Sequence, residues 1–286
     1  MENIVRTVYG AYLQTTQLMQ LPFTLLPHTT LNEKFNINSN ATLASNQIPF
    51  LQYFGIGNGG HQMVLGANNV SVPEPIQHSP TDAALYNQLP FVLRAQNNDL
   101  TPAQMLNYRL RTTVSIAGVS YIAYYLKTLN LNTTSGTVSN TVAQLMYNTV
   151  QNGTVSSTPF VPSAANLNPT PPSTTTTGAV STTGNYIAAT AQVPITLTPF
   201  DINEFLNVAN IIYGDPAYAI ISEIALCSGI DQAGAGTILA SNSSFADAIG
   251  VQVMTFINTF YAAQFMNSGI NLLLDVGAVE PLFALA

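Results

Sequence analysis

Two apolar runs set the terms for the fold. The first, Ile48-Pro49-Phe50-Leu51-Gln52-Tyr53-Phe54, leads into Gly55-Ile56-Gly57-Asn58-Gly59-Gly60. The second, Ile220-Ile221-Ser222-Glu223-Ile224-Ala225-Leu226, runs through Cys227-Ser228 to Gly229-Ile230-Asp231. Each is short, rich in β-branched and aromatic residues and closed by glycine, the pattern of a buried strand entering a turn. Most of the chain between them reads as further strands and turns. The fold class expected is α+β: a β-rich body with a few short helices, an extended N-terminal arm over residues 1–47, and a long polar Thr/Pro/Asn-rich insertion over 132–190. The body falls in two halves, 48–131 and 191–286, expected to pack together.

Charge is scarce. Of 286 residues, 47% are hydrophobic and only 7% are charged, against about a quarter charged in ordinary soluble domains. Asn, Gln, Ser and Thr must therefore keep the surface wet, as suits a subunit that hides much of itself against neighbours. The few charges are unevenly placed. All six Lys and Arg lie at or before Lys127; after it come Asp201, Glu204, Asp215, Glu223, Asp231, Asp247, Asp275 and Glu280 with no base among them. A run of phosphates would find nothing to neutralise it there, so no nucleic-acid partner is expected.

The lone cysteine, Cys227, allows no intrachain disulfide and sits in an apolar run as a small hydrophobe. Glu2 and Arg6 flank no continuous apolar core, so no secretory signal is expected, and no stretch has the unbroken apolar length of a membrane span. Five Asn-x-Ser/Thr matches, at Asn40, Asn69, Asn132, Asn152 and Asn242, are read as chance in a chain so rich in Asn and Thr.

Along the chain, Ile4, Val5, Val8, Tyr12 and Met19 suggest a helix within residues 1–20, broken by Pro22 and Pro27, with 28–47 polar and irregular. The run 55–60 resembles a phosphate loop only loosely, lacking a following Lys-Ser/Thr; a tight turn with positive φ at Asn58-Gly59 is the stronger reading. Pro73, Pro75 and Pro80 make 66–80 an extended loop, and Ser79-Pro80-Thr81-Asp82 opens a short helix over 83–87. Strands are expected at Leu89–Leu93, over Tyr108–Lys127 with a break at Ala117-Gly118, at Thr141–Val150 before an Asn152-Gly153 turn, at Val193–Leu197, at Tyr218–Leu226 and over Ala248–Phe260. Thr101-Pro102 and Thr198-Pro199 mark helix entries. From Pro159 to Asn185 the chain reads as a loop. The apolar end, Leu272–Val276 and Pro281–Ala286, is expected to pack inside the domain or under a neighbour.

Few residues carry chemistry. His61 and His78 flank the proline-rich loop, but no Cys, Asp or Glu stands at ligand spacing, which favours turn or surface roles over a metal pair. Glu223, in the middle of its strand, is read as a buried carboxylate accepting backbone or Arg hydrogen bonds; no second acid lies at glycosidase spacing. Arg94, Arg109 and Arg111 are either anchors for a partner or internal partners of acids such as Asp99.

Taken in order, Tyr53-Phe54-Gly55-Ile56-Gly57-Asn58-Gly59-Gly60, Pro73-Glu74-Pro75, Thr81-Asp82-Ala83-Ala84-Leu85-Tyr86-Asn87 and Ile221-Ser222-Glu223-Ile224-Ala225-Leu226 with Gly229-Ile230-Asp231 resemble the amino-terminal attachment regions of tailed-bacteriophage tail and baseplate proteins. Ala225 stands where that family usually has glycine, and a long Thr/Pro insertion separates the halves. The resemblance covers roughly 48–130 and 190–260. It implies a virion structural component, a tail baseplate or fibre-attachment protein, assembled in the host cytoplasm and working through contacts with other virion proteins as a homo- and hetero-oligomer. It implies no enzyme activity and carries over no catalytic, cofactor-binding or metal-binding residue. Two other readings stand beside it: a head, neck or capsid-associated protein, and a glycan-binding adhesin module. A hydrolase using Glu223 with another acid is the enzymatic alternative.

Overall fold

The computed structural model describes residues 3–66, 69–131, 143–169, 182–232, 245–266 and 268–283. The chain divides into two compact units, one of residues 1–129 with 196–271, the other of 130–195 with 272–286. β-strands dominate both.

The first unit is built on an eight-stranded sheet. Its central strands are β2 (Phe50–Gly57), β12 (Ile220–Gln232) and β13 (Asp247–Ala262), and the two organising runs pair directly, with Glu223 opposite Gly57 and Leu226 opposite Phe54. The order is β1 (Asn3–Arg6), β13, β12, β2, β8 (Val119–Thr128), β6 (Val92–Ala95). β5 (Gln88–Leu89) adds to β2, and β7 (Tyr108–Ile116) adds to β8 through a tight turn at Ala117-Gly118. A two-stranded hairpin of β3 (His61–Leu65) and β4 (Ser71–Pro75) leaves this sheet after Gly60. Burial is complete along the middle: Tyr53, Ala225, Cys227, Val251, Val253 and Phe256 are all inaccessible to solvent.

Residues 3–35 do not hang free. β1 pairs antiparallel with β13, and α1 (Val8–Met19) starts at Thr7, whose hydroxyl accepts from the Gly10 amide and donates to the Val253 carbonyl. The stretch expected to be irregular holds α2 (Leu31–Phe35), opened by a capping box in which Thr30 and Glu33 satisfy each other's backbone amides. Asn32 of this helix accepts from the Val251 amide and donates to the Ala248 carbonyl, both at 2.9 Å. Those two groups flank Gly250, whose φ of 61° bends β13 away from regular pairing. A side-chain amide thus satisfies backbone groups on either side of the bend, where β1 does not reach.

Several local expectations need correction. Residues 83–87 form turns and no helix; Asp82 is spent instead on closing a turn, accepting from the Ser79 amide at 2.9 Å. The proline-rich loop contains β4, and Pro73 and Pro75 fall on this strand, which pairs on one side only among the described residues, where a missing amide costs no ladder bond. β2 runs on through Gly57, and neither Asn58 nor Gly59 has positive φ.

Two helix entries form as the cap-plus-proline patterns indicate: α3 (Pro102–Met105) and α4 (Pro199–Tyr213), each with a full capping box. Gly214, at φ 77°, ends α4. Phe205, Val208 and Ala209 are buried, and Asn207 donates to the Leu93 carbonyl of β6.

The second unit is a four-stranded sheet in the order β10 (Thr154–Pro159), β9 (Gln144–Gln151), β11 (Thr182–Leu197), β14 (Ile270–Phe283). β9 and β10 meet at the Asn152-Gly153 turn. Of the insertion read over 132–190, residues 132–142 and 170–181 lie outside the described residues; the rest contributes β9, β10 and the first half of β11. The apolar chain end is not buried within its own unit: Leu273, Val276 and Val279 of β14 are exposed. Residues 284–286 lie outside the described residues.

Candidate functional site

The densest polar arrangement surrounds Glu223. Strand pairing places it opposite Gly57 on one side and Asn258 on the other. One carboxylate oxygen accepts from the amides of Gly59 at 3.0 Å and Asn87 at 2.9 Å. The other accepts from the Tyr86 amide at 3.0 Å and faces His78 Nε2 at 2.8 Å. His78 Nδ1 in turn faces Asp82 at 3.0 Å. The imidazole lies flat between the rings of Tyr86 (4.0 Å) and Phe256 (3.8 Å).

Neighbouring side chains extend the same work. Ser222 accepts from the Gly60 amide through its hydroxyl, and Asn258 donates to the carbonyls of Ile76 and Gly60. Residues 57–60 and 76–87 are thereby bonded onto β12 and β13. This explains the glycines. A Cβ on Gly60 would come within 2.5 Å of the Ser222 carbonyl oxygen, and one on Gly57 within 2.6 Å of the Asn87 carbonyl oxygen. The need here is for close approach of backbones, not for a left-handed conformation.

Electrostatics follow the geometry. Burial is the strongest influence on Glu223 and pushes its carboxyl up, but the His78 hydrogen bond and the Asn87, Tyr86 and Gly59 amides outweigh it, so the group ionises below the ordinary glutamate range. Both ring nitrogens of His78 are engaged by carboxylates, and His78 and Glu223 side chains have no exposure. A histidine serving as a base needs one nitrogen turned toward a reacting group. Here the imidazole is a bridge between two carboxylates, and the arrangement acts as a clamp joining two loops to the sheet.

The backbone or Arg hydrogen bonds expected of Glu223 prove to come from three backbone amides, with a histidine in place of an arginine. The turn or surface role expected for His78 needs correction, since its ring is buried. His61 does not join it. Its ring meets Phe260 edge-on at 5.0 Å, and burial pulls its pKa down despite the Glu223 charge. Among the described residues, no group of three or more His, Cys, Asp or Glu is placed to hold a metal ion.

The arginines pair internally. Arg94 makes a two-pronged contact with Glu204 of α4 at 3.0 and 2.6 Å, Arg111 reaches Asp99, and Arg109 binds both oxygens of Asp231 at 2.7 Å. Lys127 pairs with Asp201, which Tyr108 also contacts. Lys34 donates to the Leu85 carbonyl at 2.9 Å, and the exposed Arg6 reaches Gln14 within its own segment. All six Lys and Arg side chains are thus engaged by groups of the chain itself. Tyr53 also donates to Asp231, and the Asp247 charge acts on both Tyr53 and Arg109, a group that the sequence does not announce. The register brings the two acids together, with Asp231 opposite Ala248 and Gln232 opposite Asp247, a pairing that no local sequence signal marks.

Compared with known proteins, the chain belongs to the group described as Family of unknown function (DUF7208), whose model matches residues 1–286. No curated protein and no solved structure matches it.

Proposed function

We propose that this protein is a structural component of a tailed-bacteriophage virion, placed at the tail baseplate or at a fibre attachment point and acting through assembly with other virion proteins and further copies of itself. The observation that carries this reading is the second unit. Its four-stranded sheet, the one sheet of that unit among the described residues, leaves Leu145, Val150, Val155, Leu273, Val276 and Val279 exposed. Sheets become stable by burying a face against another layer, and apolar surface left open on a folded chain marks an interaction site. The internal pairing of the cations supports the same reading, because it leaves amides, hydroxyls and apolar side chains to make the contacts. Obligate interfaces of that kind bury roughly 2,000–5,000 Å².

The test is location. Particles purified from cells that carry the gene are analysed by mass spectrometry and by electron microscopy at side-chain detail. The chain should be present at stoichiometric copy number and traceable in the tail. Particles that lack it would overturn the proposal.

A further inference from the structure

We propose that an open groove on one face of the second unit's sheet binds an uncharged oligosaccharide. The groove encloses about 540 Å³, within the roughly 300–1,000 Å³ of small-molecule sites. Gln144 and Asn148 line it from β9, Ser157 from β10, Tyr186 and Gln192 from β11, and Asp275 from β14. Within each strand the lining residues fall at even spacing, so their side chains rise from one face.

Three features define the ligand. First, the floor offers no backbone pairing. β9 is bonded to β10 and β11, and β11 to β9 and β14, so an extended peptide lying on this face would find no free ladder and must be read by side chains alone. Second, most of those side chains are amides, hydroxyls, a phenol and one carboxylate, with Met146, Ala188 and Val279 supplying apolar patches between them. Closely spaced donors and acceptors complement sugar hydroxyls, each of which both donates and accepts. One of them is already fixed: Asn148 is 5% exposed, donates to the Met146 carbonyl at 3.2 Å and accepts from the Ser157 hydroxyl. The Tyr186 ring adds an apolar surface with a polar tip. Third, residues 130–195 and 272–286 contain no Lys, Arg or His, and their acids are Asp275 and Glu280. Phosphate, sulfate or uronate groups would meet repulsion with no compensating cation.

Gly277 lets β14 lie close on β11. A Cβ there would come within 1.9 Å of the Ala189 carbonyl oxygen, and its absence leaves that part of the floor without a side chain.

The groove shares Val279 with the exposed apolar surface of this sheet, but the test reads binding by the isolated chain, so its outcome does not depend on assembly. The full chain is applied to an array holding neutral and acidic glycans, and the best neutral binder is then titrated calorimetrically. Binding should be confined to neutral oligosaccharides. Tyr186→Ala and Gln192→Ala should each weaken it by about tenfold or more, equivalent to ~1.4 kcal/mol, with the melting temperature of the Gln192 variant unchanged. No binding to any neutral glycan, a preference for acidic ones, or affinity that survives both substitutions would overturn the proposal.

Discussion

His78 Nε2 lies 2.8 Å from a carboxylate oxygen of Glu223, and neither side chain has any exposure to solvent. The two residues are 145 positions apart in the chain. The pair closes the loops 57–60 and 76–87 onto strands β12 and β13, so its loss should register as instability of the first unit.

Replacing Glu223 with Ala strands three backbone amides and one imidazole nitrogen. Each orphaned buried donor costs about 1–3 kcal/mol. The expected loss is at least ~3 kcal/mol in urea unfolding, with Glu223→Gln intermediate. The pH dependence has a definite sign. Because the folded-state carboxyl ionises below its usual range, its contribution is complete above the unfolded value of about 4.3 and fades as pH falls through the folded value. The gap between wild type and Glu223→Gln should therefore narrow in acid. Equal stability of the two proteins at neutral pH would rule out the clamp.

Gly60→Ala tests the close-approach account of the glycine run. The added methyl meets the Ser222 carbonyl oxygen at 2.5 Å and Glu223 Cβ at 2.9 Å, so overpacking should cost about 1–3 kcal/mol. Asn58→Ala, at a residue whose φ is not positive, should be milder. A reversed ranking in thermal melts would restore the turn explanation.

Asp247 behaves in the opposite way to Glu223. One carboxylate oxygen accepts from the amides of Leu110 at 2.6 Å and Ala248 at 2.8 Å, while the other is buried without a partner among the described residues. Burial pushes the carboxyl up against those bonds. The unfolded chain thus ionises first as pH rises, and folding loses stability between the two values. Asp247→Asn keeps the accepting oxygen and removes the charge. It should gain on wild type as pH rises past the ordinary aspartate value of about 4, measured by urea midpoints. Parallel pH profiles would contradict this.

Cys227 should be inert in the native protein. It is fully buried, and burial drives its thiol well above the ordinary range. Reaction with a thiol reagent should follow the unfolding rate and become immediate in denaturant. Rapid labelling without denaturant would mean that the β12 core opens locally.

The strands were legible where local pattern decides. Alternation and glycine placement located β7, β8 and β13, and the Thr-Pro entries located α3 and α4, because caps and periodicity act within a few residues. The clamp was not legible. A carboxylate in a strand signals burial, but its partner is set by which loop the sheet brings overhead, and here β2 had to pair with β12 first. The glycines at 57–60 show the same limit: sequence tells that a side chain is unwelcome, and only packing tells whether torsion or crowding forbids it. α2 escaped because five residues give too short a period, although Thr30 and Glu33 stood at capping-box spacing. The groove escaped because Tyr186, Asn148 and Asp275 come from three separate strands.

Strand β14 lies at the rim of the second unit's sheet but follows every strand of the first unit in the chain. A ribosome therefore emits β9, β10 and β11 long before the strand that flanks β11 on its far side. During that interval the nascent chain carries an open edge able to recruit any passing strand. Translation past β13 without delay, or a chaperone that shields β11 meanwhile, would guard the growing polypeptide against premature pairing.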